Sequence, residues 1–121
     1  MRFAVVDDSA VDRHLLVSLL QDMGHDVDIF ESSEGVLNKL AKEQYSAVFL
    51  DIVMPQQDGY KFLRAIRSHP ELAEQHVIFC SSKKTPLEMK YGIEKAGAND
   101  YIAKPVSRDM VMGALQKVSV L

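Results

Sequence analysis

Ala47-Val48-Phe49-Leu50-Asp51-Ile52-Val53-Met54-Pro55 is the stretch that decides the fold of this chain. Its first four residues are apolar without a break. A strand with one wet face alternates, whereas an unbroken apolar run of this length suits a strand covered on both faces. The run ends on a carboxylate, Asp51. Pro55 to Gly59 then supply a turn, and Tyr60, Phe62, Leu63 and Ile66 recur at helical spacing. The unit is a strand, a polar end, a turn and a helix, and the rest of the chain repeats it.

Toward the N-terminus, Phe3-Ala4-Val5-Val6 reads as the first strand. Ser9 is placed to cap a helix carrying Leu15, Leu16, Leu19, Leu20 and Met23, which Gly24 stops. Val27-Asp28-Ile29-Phe30 alternates like a second strand, and Ser33 is placed to cap a helix through Val36, Leu37, Leu40 and Ala41. Toward the C-terminus, Val77-Ile78-Phe79-Cys80 is the fourth strand. Thr85-Pro86-Leu87-Glu88 offers an N-cap, a proline at the first helical position and a capping-box glutamate, for a helix running to Ala96. Tyr101-Ile102-Ala103 is a short fifth strand, and Ser107 caps a last helix with Val111, Ala114, Leu115 and Val118. Alternation at this spacing predicts an α/β fold: a doubly wound, five-stranded parallel sheet with five helices. Right-handed crossovers that cover both faces need one reversal of winding, which gives strand order 2-1-3-4-5.

The 121 residues suffice for one domain, 1–121, and leave little for a second. A formal charge of −3 argues against direct nucleic-acid binding, which needs a basic stripe. The lone cysteine, Cys80, excludes an internal disulfide and a cysteine-based zinc site. It reads as a small buried hydrophobe in an apolar strand. His14, His25, His69 and His76 are scattered, with no helical ligand pair among them. No apolar run could span a bilayer, and Asp7 and Asp8 cut the N-terminal apolar stretch too short for a signal peptide. The expectation is a cytoplasmic protein without membrane insertion.

In such sheets ligands bind beyond the carboxyl ends of the strands, at the reversal between strands one and three. Strand one ends in Asp7-Asp8, strand three in Asp51, strand four in Ser81-Ser82, and strand five in Lys104-Pro105. Taken singly, each has a bland reading: a turn former, a helix cap, a solvated lysine. Together at one edge they are less easily accidental. Three carboxylates in one cleft repel one another, and a hard cation such as Mg²⁺ with oxygen ligands relieves that. A cation, a lysine and a hydroxyl around a free carboxylate suit phosphoryl transfer, and a carboxylate can itself attack phosphorus. Asp51, the lone acid on its strand, is the best nucleophile candidate.

Asp7-Asp8-Ser9, Asp51-Ile52-Val53-Met54-Pro55, Asp58-Gly59, Ser81-Ser82, Ala96-Gly97-Ala98 and Lys104-Pro105 resemble the receiver domain of bacterial two-component response regulators, of the single-domain, CheY-like type. The resemblance covers essentially the whole chain, with the motifs in family order, and its fold is the flavodoxin-like one already expected. It implies that Asp51 is the phosphoacceptor. Asp8 would be a direct Mg²⁺ ligand, Asp7 an outer or water-mediated one, and the backbone carbonyl of Val53 a further ligand. Ser81 resembles the switch hydroxyl, Lys104 the lysine that pairs with the phosphoryl group, Tyr101 the aromatic switch residue, and Lys104-Pro105 the family's usual cis peptide. The bland reading of Tyr101 is an ordinary strand aromatic.

The function implied is a phosphorelay switch rather than an enzyme, although it assists its own phosphorylation and dephosphorylation. The phosphodonor would be a sensor histidine kinase or a histidine phosphotransfer protein. Phosphorylation would bias a two-state equilibrium at the face of the fourth helix, fifth strand and fifth helix, and so control a downstream target protein or an output domain. Dimerisation on phosphorylation is common in the family, and nothing in the sequence decides it. The chain ending at Leu121 leads to the expectation of a stand-alone or excised domain. Val53 and Lys83 occupy positions that flank the phosphoryl group in the family. Val53 cannot orient a water by hydrogen bonding, so self-dephosphorylation is not expected to be especially fast. A flavin-binding relative would want a Ser/Thr/Gly-rich phosphate loop where Asp7-Asp8 stand. An aspartyl phosphatase would show a second acid where Val53 stands. The more serious rival is a constitutive interaction module that is never phosphorylated.

Overall fold

The computed structural model describes residues 1–55 and 57–118. Its elements run β1 (Arg2–Val6), α1 (Ala10–Asp22), β2 (Asp26–Phe30), α2 (Val36–Lys42), β3 (Ala47–Leu50), α3 (Gly59–Ser68), β4 (Val77–Ser81), α4 (Pro86–Glu94), β5 (Asp100–Ala103) and α5 (Arg108–Gln116). All strand pairs are parallel, in the order β2-β1-β3-β4-β5. This is the expected doubly wound architecture.

Successive strand side chains point to opposite faces, so each strand feeds two cores. Phe3, Val5, Ala47, Phe49, Ile78 and Cys80 pack with Leu16, Val17 and Leu20 of α1 and Val111 and Ala114 of α5. Ala4, Val6, Val48, Leu50, Val77 and Phe79 pack on the other face with Val36 and Leu40 of α2 and Phe62, Leu63 and Ile66 of α3. β3 and β4 are buried at every position, as their unbroken apolar runs require. β2 is an edge strand, and its Ile29 is exposed.

Ser9, Asp58, Thr85 and Ser107 each accept a backbone N–H of the following helix, and Thr85 and Glu88 close the capping box in both directions. Ser33 does not cap α2. The residue in the N-cap position is Gly35, at φ 73°, where its lack of a Cβ permits the left-handed turn that starts the helix. The Ser33 hydroxyl instead donates to Gln57 Oε1 at 2.8 Å. α4 stops at Glu94 rather than Ala96, because the Lys95 and Ala96 N–H groups both fold back onto the Tyr91 carbonyl. Val118 lies beyond the end of α5 but remains buried. Residue 56 of the Pro55–Gly59 turn and the expected domain end at Leu121 lie outside the described residues. Among the described residues no helix is long and apolar enough to cross a membrane.

Candidate functional site

Register brings the acids together. Val6 pairs with Leu50, so Asp7 and Asp51 leave neighbouring strands side by side, and the Asp51 N–H donates to the Val6 carbonyl at 2.9 Å. Asp7, Asp8 and Asp51 each offer a carboxylate oxygen within 4.8 Å of the others. Asp7 and Asp51 are buried, at 4% and 6% exposure, while Asp8 is open to solvent. Lys104 reaches in from the end of β5, where its N–H donates to the Ser81 carbonyl at 2.9 Å. Its Nζ lies 2.8 Å from Asp7 Oδ2, 3.2 Å from Asp12 Oδ2 and 3.5 Å from Asp51 Oδ1.

Three carboxylates thus share one ammonium, with Asp8 alongside. Burial, and after it the charge of Asp7, pushes Asp51 up to about 6 despite the opposing Lys104. Burial pulls the Lys104 ammonium down, and the hydrogen bond to Asp7 with the charges of Asp51 and Asp7 more than reverses this. Lys104 is therefore held as a cation, and Asp51 is an acid whose ionised form burial and the charge of Asp7 make costly. The donor set fits a hard divalent cation. The clustered side chains all offer carboxylate oxygens, the local charge is negative in excess, and exposed Asp8 leaves room for the waters Mg²⁺ retains.

The remaining expected residues share this edge with differing intimacy. Ser81 ends β4, fully buried, and its Oγ accepts the Lys83 N–H at 3.1 Å. Tyr101 is buried too, and its hydroxyl donates to the Lys83 carbonyl, so two candidate switch groups are tied to one loop residue. The Lys104-Pro105 peptide is cis. Val53 presents an exposed apolar side chain on the loop after β3. The Lys83 ammonium lies 3.7 Å from Glu88, drawn toward the first turn of α4.

Three supporting residues, Asp12, Arg13 and Gly92, and the packing role of Gly59 escaped the sequence reading. Asp12 is the third carboxylate on Lys104, and Arg13 donates to the Asp7 carbonyl at 2.7 Å. Both lie in the first turn of α1, and their nearness in sequence to Asp7-Asp8 was the only available signal. Gly59 supports Asp51 from behind. A Cβ there would stand 2.3 Å from the Asp51 carbonyl oxygen and 2.8 Å from the Ile52 Cα, so only a hydrogen fits. Gly92 plays the same part for Tyr101, since a Cβ would come within 2.9 Å of the ring. A glycine inside a helix costs roughly 0.5–1 kcal/mol relative to alanine, and the tyrosine ring explains why one sits here.

Comparison with known proteins identifies the family. The family described as "Response regulator receiver domain" matches residues 3–116. The sensory/regulatory protein RpfC of Xanthomonas campestris pv. campestris is 33% identical over 99% of this chain, which spans only 17% of that protein's length. Protein PilG of Pseudomonas aeruginosa is 30% identical over 96% of this chain and 85% of its own. Among solved structures, the chemotaxis protein CheY4 of Vibrio cholerae superimposes with a TM-score of 0.86, at 24% identity and covering 98% of each chain.

Proposed function

We propose that this chain, which belongs to the response regulator receiver domain family, is a signalling switch whose phosphoacceptor is Asp51. The observation that carries the assignment is the buried Asp51 carboxylate with Lys104 at 3.5 Å and two further acids within 4.8 Å. Asp7, Asp8 and Asp51, with the Val53 carbonyl, would hold Mg²⁺, which supplies charge neutralisation at the transferring phosphoryl group when bound.

The chain's own residues do the rest. An Asp51 oxygen attacks the phosphorus of a phosphohistidine on a histidine kinase or phosphotransfer protein. The new O–P bond forms as the donor's P–N bond breaks; the departing ring nitrogen keeps the electron pair, and the imidazole takes a proton from solvent, leaving an acyl phosphate and a neutral imidazole. Lys104 offers the product a fixed positive charge, and the Ser81 hydroxyl a hydrogen bond once it turns from the Lys83 N–H. Tyr101 is held by the same loop residue, so a shift at Ser81 biases its ring as well. The affected surface is the α4–β5–α5 face, where a groove of about 430 Å³ is lined by Met89, Ala103, Met110 and Gly113 among others. A downstream protein, an output domain of a longer chain, or a second phosphorylated copy would read that face, in the cytoplasm.

Intact-protein mass spectrometry after incubation with acetyl phosphate tests the reading. One phosphoryl adduct is expected with Mg²⁺, absent without it and absent from Asp51→Asn. A folded wild type that acquires none would sink the acceptor assignment and favour a constitutive module.

A further inference from the structure

We propose that the groove between α3 and α4 docks a carboxylate-bearing segment of a partner protein. The groove encloses about 220 Å³ and is lined by Tyr60, Arg64, Arg67, Ser68, Tyr91 and Lys95 among others. Two stripes face each other across it. Each reads tyrosine and then, four residues on, a cation: Tyr60 and Arg64 on α3, Tyr91 and Lys95 on α4 and its C-cap. Residues four apart share a helix face, so each tyrosine sits one turn from its cation. The two rings meet edge to face with centroids 5.2 Å apart and wall part of the groove.

Every polar side chain in the lining can donate a hydrogen bond, and none is a carboxylate. The acids of α4 are engaged elsewhere: Glu88 with Lys83 and Thr85, and Glu94 with Lys90. Among the described residues neither Arg64 nor Lys95 forms an ion pair. Arg67 differs, because its donors are spent on the backbone and on Asn99. It lends the groove its field but no free donor. The chain as a whole carries −3, so these unpaired cations are not a by-product of a basic surface.

The occupant follows from charge and size. A nucleic-acid strand or a lipid surface needs a wider basic face than two free cations in a space of this volume. A glutamate or aspartate beside an apolar side chain matches a cation pair next to two tyrosine rings. The inference rests on reading the chain as a module that acts through partners, and it adds a contact face separate from α4–β5–α5.

The test uses the full chain and a capped peptide, acetyl-Gly-Leu-Glu-Glu-Gly-amide, followed by backbone amide NMR shifts. Saturable shifts are expected at residues 60, 64, 91 and 95. Binding should weaken about tenfold in Arg64→Gln/Lys95→Gln, and comparably when both peptide glutamates are replaced by glutamine. Lys42→Gln on α2 should leave it unchanged. Absence of saturable shifts in the groove, or equal weakening by Lys42→Gln, would overturn the proposal. So would tighter binding of phosphatidylglycerol vesicles through the same residues. Both substituted side chains are exposed, and should the double variant fail to fold, Lys95→Gln alone takes its place. The acetyl phosphate adduct is measured on the same sample. An adduct without peptide binding overturns the groove and leaves the switch standing; binding without an adduct supports the groove and overturns the switch.

Discussion

At the amino end of the sheet, the Arg67 guanidinium makes five hydrogen bonds, to the carbonyls of Gly97, Ala73 and Gln75 and to Asn99 Oδ1. At the carboxyl end, the Lys104 ammonium is shared by Asp7, Asp12 and Asp51, with Asp8 alongside. Both cations are held by contacts from distant parts of the chain. Arg67 meets neutral acceptors, backbone carbonyls and Asn99, and ties their segments together, so its ordering stabilises the fold. Lys104 meets more negative charge than it can cancel, so the fold carries unrelieved repulsion there. The difference separates a group that serves structure from a cluster that, on the proposed function, serves chemistry, since a ligand or reaction there would relieve the excess of buried charge.

The sharpest way to break this contrast is at Arg67. Arg67→Ala strands the Gly97, Ala73 and Gln75 carbonyls together and should cost about 3 kcal/mol, read as a fall in the urea midpoint. A loss below about 1 kcal/mol would show that water replaces the guanidinium freely. Gly59→Ala should cost roughly 2 kcal/mol by overpacking, although alanine is the better helix former. It should also slow phosphorylation by acetyl phosphate, because Asp51 must shift; an unchanged rate would mean that α3 moves aside instead. Asp51→Asn should act with the opposite sign. In EDTA at pH 8 it should raise stability on the order of 1 kcal/mol, and Mg²⁺ should narrow the gap by stabilising the wild type alone. A destabilised Asp51→Asn would remove the repulsion from the account.

The smallest effect belongs to His76. Its Nε2 is buried without a partner among the described residues, and burial, opposed by Asp100 and reinforced by Arg67, holds its pKa below the ordinary 6.5. The unfolded chain therefore takes the proton first. Stability is complete above about 6.5 and declines as the pH falls below it, by less than about 1 kcal/mol for this half-buried ring. His76→Gln should flatten that part of the pH profile, and an unaltered slope would assign it to other groups.

What the sequence revealed and what it hid divide along physical lines. Asp7, Asp51, Ser81 and Lys104 were legible because apolar runs mark strands, and a parallel sheet sends every strand's carboxyl end to one edge. The caps at Ser9, Thr85 and Ser107 were legible because capping is decided within four residues. Ser33 misled because the local pattern that favours a serine cap also precedes Gly35, whose left-handed φ moves the helix start. Gly59 was legible as the turn residue after Asp58, but its packing role, like those of Gly92 and Arg67, carries no local mark. The two glycines answer to backbone and ring atoms brought in by other elements, and Arg67 to carbonyls on two separate loops.

The contact at Gly59 has a mechanical consequence. With no room for a methyl group between α3 and the Asp51 carbonyl, the acceptor strand and that helix run without clearance, like a shaft in a tight bearing. Any displacement of the Asp51 backbone arrives undamped at the neighbouring Tyr60, whose ring touches both Phe79 and Tyr91. Beyond Phe79 stands Tyr101. If Asp51 accepts phosphate as proposed, a push there would have a train of rings to travel along as well as the loop that holds Ser81, and one branch of that train, from Tyr60 to Tyr91, ends at the wall of the α3–α4 groove.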